Sequence, residues 1–161
     1  MRVWRSASEE ETRDLGVTLG RELVPNGTLL LSGELGAGKT VLAQGVAASV
    51  GVPANQVQSP SFILIREHEG SGGRFVHIDL YRLELGETEA LGLDELLAGD
   101  GVKVVEWAER LPYAPTAAMH LSIRVDRNSL EREIVETRPG QQKEFVESSS
   151  LQGSNSQEDD R

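Results

Sequence analysis

Apolar positions in this chain repeat with helical spacing in some stretches and run short and continuous, or alternate, in others. Leu15, Leu19 and Leu23 recur at four-residue steps, which places them on one face of a helix. Ser8 and Glu11 ahead of them have the spacing of a capping box, in which each side chain satisfies the other's free backbone N–H. Pro25-Asn26-Gly27 stops that helix. Thr28 to Ser32 is a short apolar run followed by glycines, as expected of a strand covered on both faces. A second helix is predicted from Lys39 to Val50, closed by Gly51 and Pro53. Residues 61–68 and 74–81 read as strands, and the Gly-rich connector between them suits an antiparallel hairpin. Glu87 to Leu97 reads as one or two short helices interrupted at Gly92, and Val102 to Glu106 as another strand. His120 to Asp126 alternates, as does the segment around Ile134, with a turn over Asp126 to Ser129 between them. No internal repeat is present.

Beyond Pro139 the pattern stops. The chain there is rich in Ser, Gln and Glu, with few apolar residues to offset the entropy of ordering it. The expected division is therefore a domain over 1–138 and a disordered, polar and acidic tail over 139–161. The whole chain of 161 residues carries a net charge of −10, and residues 1–138 alone keep 21 acids against 14 bases. An acidic surface repels a phosphate backbone, so the domain is a poor stand-alone binder of DNA or RNA. It can still serve a nucleic-acid pathway through a basic partner. Cysteine is absent, which removes disulfides and thiolate zinc sites. No apolar run reaches the roughly 18 residues of a membrane span, and a cytoplasmic protein is expected.

The most informative stretch is Gly33-Glu34-Leu35-Gly36-Ala37-Gly38-Lys39-Thr40. It matches the pattern G-x-x-x-x-G-K-S/T in full, after a predicted strand and before a predicted helix. Glycines let backbone N–H groups turn inward around phosphate oxygens, and the following helix, entered through Val41, adds free donors and its positive dipole end. Lys39 would reach the β- and γ-phosphates, and Thr40 would offer its hydroxyl to Mg²⁺. The guanine-binding pattern Asn-Lys-x-Asp does not occur, which favours ATP.

Such a site needs an acid at a strand end to hold Mg²⁺ or position water. Asp79 lies where alternation puts His77, Asp79 and Tyr81 on one face. Glu106 ends the apolar strand and precedes Trp107. Either acid could equally be a solvated charge, and His77 reads as a packed or hydrogen-bonded strand histidine rather than a metal ligand. Ser59-Pro60-Ser61 stands where a switch loop would lie, and Pro60 also suits an ordinary turn.

Taken in order, the glycine motif, Ser59-Pro60-Ser61-Phe62, the run His77 to Leu83 and the run Val105 to Pro112 resemble the TsaE (YjeE) family over about residues 6–138. Ser61 departs from the family's usual threonine but keeps the hydroxyl. The resemblance implies an α/β, P-loop NTPase-like three-layer domain with a mixed parallel and antiparallel sheet. It implies a small ATPase needed to form threonylcarbamoyladenosine in tRNA, using ATP and Mg²⁺. It places Thr40 and Glu106 at the metal, Asp79 in the catalytic site, Trp107 beside Glu106, and Ser61 in a switch. It also brings the entrance of the first helix, around Ser8 to Thr12, and the late Arg132 toward the nucleotide. The implied partner is a two-subunit threonylcarbamoyl transferase, a catalytic subunit and its paralogue, with tRNA held by those partners. Two other readings stay open: a small-molecule kinase with a P-loop, and a nucleotide-dependent binding module without essential hydrolysis.

Overall fold

The computed structural model describes residues 1–59, 64–84, 87–113, 115 and 117–138. Pro60, Ser61 and the expected tail lie outside the described residues. Seven strands form one sheet: β1 (Val3–Ser6), β2 (Thr28–Gly33), β3 (Ile65–Gly70), β4 (Gly73–Asp79), β5 (Val102–Glu106), β6 (Met119–Val125) and β7 (Arg132–Thr137). Three helices accompany them, α1 (Glu9–Leu23), α2 (Lys39–Ser49) and α3 (Leu93–Ala98). The strand order is β1-β7-β6-β2-β5-β4-β3. The central four, β6-β2-β5-β4, run parallel, and the outer pairs are antiparallel.

Burial explains why the central strands are near-continuous apolar runs. Every residue of β2 and of β5 is buried, since both sheet faces are covered. Leu29 and Leu31 pack on one face with Leu19, Leu42 and Val46 from α1 and α2. Leu30 faces the other way and joins Val76, Ile78 and Val105 under Leu93, Ala108 and Leu111. Three layers result. Lys103 is buried within β5 because its ammonium donates to the carbonyls of Asn26 (2.8 Å) and Gly99 (2.6 Å).

The helix entrance matches its sequence signature with one shift. The Ser8 hydroxyl accepts from Glu11 N at 3.1 Å, but the Glu11 carboxylate reaches Ala7 N (2.8 Å), one residue further back than a capping box requires. Gly92 is left-handed and separates the 3₁₀ turn Glu87–Leu91 from α3, as its place in the sequence predicts. The antiparallel hairpin β3–β4 forms as predicted but with other bounds: β3 begins at Ile65 rather than at residue 61 (61–63 lie outside the described residues), pairing runs on to Gly70 opposite Gly73 where a longer connector is expected, and β4 ends at Asp79, leaving Tyr81 beyond the strand.

Two features escape the pattern. β1 has no period of its own, yet it pairs antiparallel with β7, Val3 opposite Val135 and Trp4 opposite Ile134. Its hydrogen bonds come from a segment some 130 residues away, so a local reading cannot see it. The second is the contact of α1 with α2 through glycines. A side chain on Gly45 would collide with the Arg13 carbonyl and stand 2.8 Å from Gly16 Cα. Among the described residues, no helix is long and apolar enough to cross a membrane.

Candidate functional site

β2 delivers the chain to Gly33, and α2 restarts at Lys39; the turn between them is the floor of a cleft of about 350 Å³. Gly36 and Gly38 have φ of 79° and 105°, left-handed values that strain any other residue. No atom stands within 4 Å of where a Gly36 Cβ would be, so that position opens into space. No side chain caps the N-terminus of α2, which leaves the backbone donors of its first turn and its positive dipole end at the cleft. Leu35, Gly36, Ala37, Gly38, Lys39, Thr40 and Val41 all line it. The Glu34 side chain turns outward toward Arg127 at 3.9 Å.

Lys39 is buried, and its ammonium donates to the carbonyls of Gly33 (2.6 Å) and Glu34 (2.8 Å) and lies 4.1 Å from the Trp107 ring centroid. Burial pushes its pKa down, while the charges of Glu106, Glu109, Asp79 and Glu34 oppose that shift. Trp107 adopts φ 58° and opens the 3₁₀ turn Ala108–Arg110. That turn folds the chain back, so the indole meets the Tyr81 ring at a tilt, 4.8 Å between centroids, and the Arg110 guanidinium stands over both rings.

The two candidate acids meet. Asp79 and Glu106 are register partners at the carboxyl ends of β4 and β5, and both are buried. Glu106 Oε1 accepts from the Thr40 hydroxyl at 2.8 Å and lies 2.7 Å from His77 Nε2. Asp79 accepts from the Ser59 hydroxyl (2.6 Å) and from Tyr81 N (2.9 Å). Arg132 enters from β7, its Nε 3.2 Å from the Ala37 carbonyl.

Thr12 stands apart from this assembly. It is fully buried, bonded to Ser6 Oγ at 2.7 Å and to the Ser8 carbonyl at 3.0 Å, and the residue of that helix entrance lining the cleft is Glu9. Thr12 does not line the cleft itself; it braces the helix entrance from which Glu9 reaches it. Sequence reasoning also gave no role to Glu109. Burial pushes its carboxyl up, against its own backbone N–H, the Ser32 side chain and the charges of Lys39 and Arg110, which pull the other way. Glu109 and Arg110 do not line the cleft; the 3₁₀ turn brings the Glu109 charge within influence of Lys39 and the Arg110 guanidinium over the Trp107 ring.

The residues present fit a magnesium–triphosphate ligand. The open position at Gly36, uncapped helix donors and a buried ammonium match phosphate oxygens. The hydroxyl of Thr40 and the carboxylate of Glu106 are the hard oxygen donors that Mg²⁺ takes, with Asp79 and Ser59 adjacent.

Fold and cleft together define an α/β protein whose glycine turn and strand-end acids converge beside the first central strand. Residues 6–134 match the family model described as threonylcarbamoyl adenosine biosynthesis protein TsaE. A Bacillus subtilis (strain 168) protein named tRNA threonylcarbamoyladenosine biosynthesis protein TsaE is 38% identical over 148 residues, 89% of each chain. Proteins of the same name from Nostoc sp. (37% over 133 residues, 80% of this chain and 82% of that one) and Streptomyces coelicolor (44% over 119 residues, 71% and 78%) are similar too. Among solved structures, that of Bacillus subtilis YdiB superposes with a TM-score of 0.66 at 30% identity, covering 96% of both chains. The chain belongs to the TsaE family.

Proposed function

We propose that this protein is a Mg²⁺-dependent ATPase that acts in forming threonylcarbamoyladenosine in tRNA. The names of its relatives support the pathway. The observation that carries the chemistry is the pairing of a buried Lys39 ammonium, held by two loop carbonyls against an indole face, with the Thr40–Glu106 hydrogen bond one residue away. Lys39 donates to the β- and γ-phosphate oxygens in place of its own loop carbonyls, and Gly36, Gly38 and the first turn of α2 orient the chain of phosphates. Thr40 and Glu106 hold the cation, which when bound neutralises charge developing on the phosphates. Asp79, kept in place by Ser59 and Tyr81 N, orients water. Arg132 lies against the glycine turn, its Nε 3.2 Å from the Ala37 carbonyl, where it can reach a bound phosphate, and Ser59-Pro60-Ser61 is the proposed switch segment.

The proposed partner is a two-subunit threonylcarbamoyl transferase, which this protein resets between turnovers by binding and hydrolysing ATP. The domain's excess of acids supports leaving tRNA to the partners. Calorimetry with ATP and Mg²⁺, followed by reconstitution with purified transferase and tRNA, tests the proposal. Lys39→Ala is expected to lose at least tenfold in affinity, about 1.4 kcal/mol, to keep its melting transition, and to fail in tRNA modification. Unchanged affinity together with full support of modification would overturn it.

A further inference from the structure

His77 has no solvent exposure at all, yet its ring makes one polar contact, Nε2 to Glu106 Oε1 at 2.7 Å. Its other nitrogen, Nδ1, is buried with no hydrogen-bond partner among the described residues. Phe75, two residues earlier on β4 and on the same face, occupies an equally buried place with a purely apolar ring, 6.0 Å from the imidazole. An apolar side chain would therefore satisfy packing at position 77 without burying an unpaired nitrogen, which costs free energy. What an apolar residue cannot supply is the bond to Glu106. A carboxylate only accepts, so Nε2 carries the hydrogen and donates.

Glu106 Oε1 also accepts from Thr40. When the Thr40 oxygen turns to a cation, that bond ceases to be a dependable anchor for the carboxylate. The His77 bond comes from a neighbouring strand in register, His77 opposite Val104 and two positions from the Asp79–Glu106 pair, and it can persist. We propose that His77 is a positioning residue, which fixes the Glu106 carboxylate in the orientation that receives the cation before nucleotide arrives. The inference rests on the reading of this cleft as a magnesium–nucleotide site. Metal-ligating groups are commonly oriented by such an outer hydrogen bond, and losing one typically weakens metal affinity by roughly 10–100-fold.

The test compares His77→Leu, which fills the space without a donor, with His77→Gln, whose amide can present N–H at a similar reach. ATP affinity is measured by calorimetry in EDTA and across a Mg²⁺ titration, with melting curves as the check on folding. His77→Leu is expected to bind ATP in EDTA within about twofold of the unchanged protein and to need roughly tenfold more Mg²⁺ for half of the metal-dependent gain. His77→Gln is expected to recover most of that loss. A Leu variant with unchanged Mg²⁺ dependence, or Leu and Gln variants shifted equally, would overturn the proposal. If the Leu variant does not fold, nitrogen-15 imidazole spectra of the unchanged protein decide: an Nε2–H tautomer kept with and without Mg²⁺ and nucleotide supports it, and an Nδ1–H tautomer overturns it. An unchanged protein whose ATP binding ignores Mg²⁺ would instead remove the metal reading of the cleft, and this inference with it.

Discussion

Gly45→Ala sets two physical effects against each other, and the structure decides the sign. In an isolated helix, alanine for glycine is stabilising by about 1 kcal/mol. Gly45 is an interior residue of α2, so helix propensity alone predicts a more stable protein. The packing predicts the reverse. The new methyl would collide with the Arg13 carbonyl and stand 2.8 Å from Gly16 Cα, both backbone atoms that cannot rotate away. Ordinary contact begins near 3.4 Å, so the helices must part by about 0.6 Å to relieve Gly16 and by more to clear the Arg13 carbonyl, gaps that forfeit at least roughly a quarter to a half of the dispersion between facing atoms. Leu19, Leu42 and Val46 share that interface and are no more than 1% exposed. Overpacking of such a core costs about 1–3 kcal/mol and occasionally more. Because the contact here is with backbone, we take the upper part of that range, which leaves a net loss of about 2 kcal/mol after the helix gain. At about 3–4 °C per kcal/mol for a domain of this size, melting should fall by about 6–8 °C. The control is Ala48→Gly on the exposed side of the same helix, where only propensity acts and about 1 kcal/mol should be lost. Chemical denaturation and calorimetry read both variants. A Gly45→Ala protein as stable as the unchanged one, or more stable, would refute the argument that close backbone packing dictates this glycine.

Two further outcomes follow from the site and the chain ends. Burial raises the folded pKa of Glu109 above its unfolded value, so the folded protein binds the extra proton between the two. Stability is therefore lost as pH rises through that window. Glu109→Gln should be the more stable protein at pH 8, with the difference shrinking as pH falls toward the ordinary carboxylate range; denaturant midpoints that run parallel across pH would contradict this. Ending the chain after Arg138 removes a segment with few apolar residues and five acids, and should leave ATP affinity and partner-dependent modification unchanged. Loss of partner capture, or a several-fold rise in hydrolysis, would give residues 139–161 a function.

Elements whose signals are local can be read directly from the order of residues. Leucines at four-residue steps mark α1, the short apolar runs mark β2 and β5, and Gly92 marks the break before α3. The glycine turn is legible too, because backbone in the left-handed region leaves glycine as the residue of choice at Gly36 and Gly38. Tertiary structure alone decided the rest. Strand order puts β4 beside β5, and only that adjacency turns Asp79 and Glu106, 27 positions apart in the chain, into register partners. The same adjacency changes His77 from a strand histidine into a partner of Glu106. β1 exists because β7 offers it an edge, and Gly45 is glycine because α1 lies against it; neither fact has a local period to read. Thr12 shows the converse, a polar residue near the start of α1 whose hydroxyl is already held by Ser6 and Ser8. Local pattern fixes which residues bury a face, whereas pairing across the sheet fixes which chemical groups end up within hydrogen-bond reach.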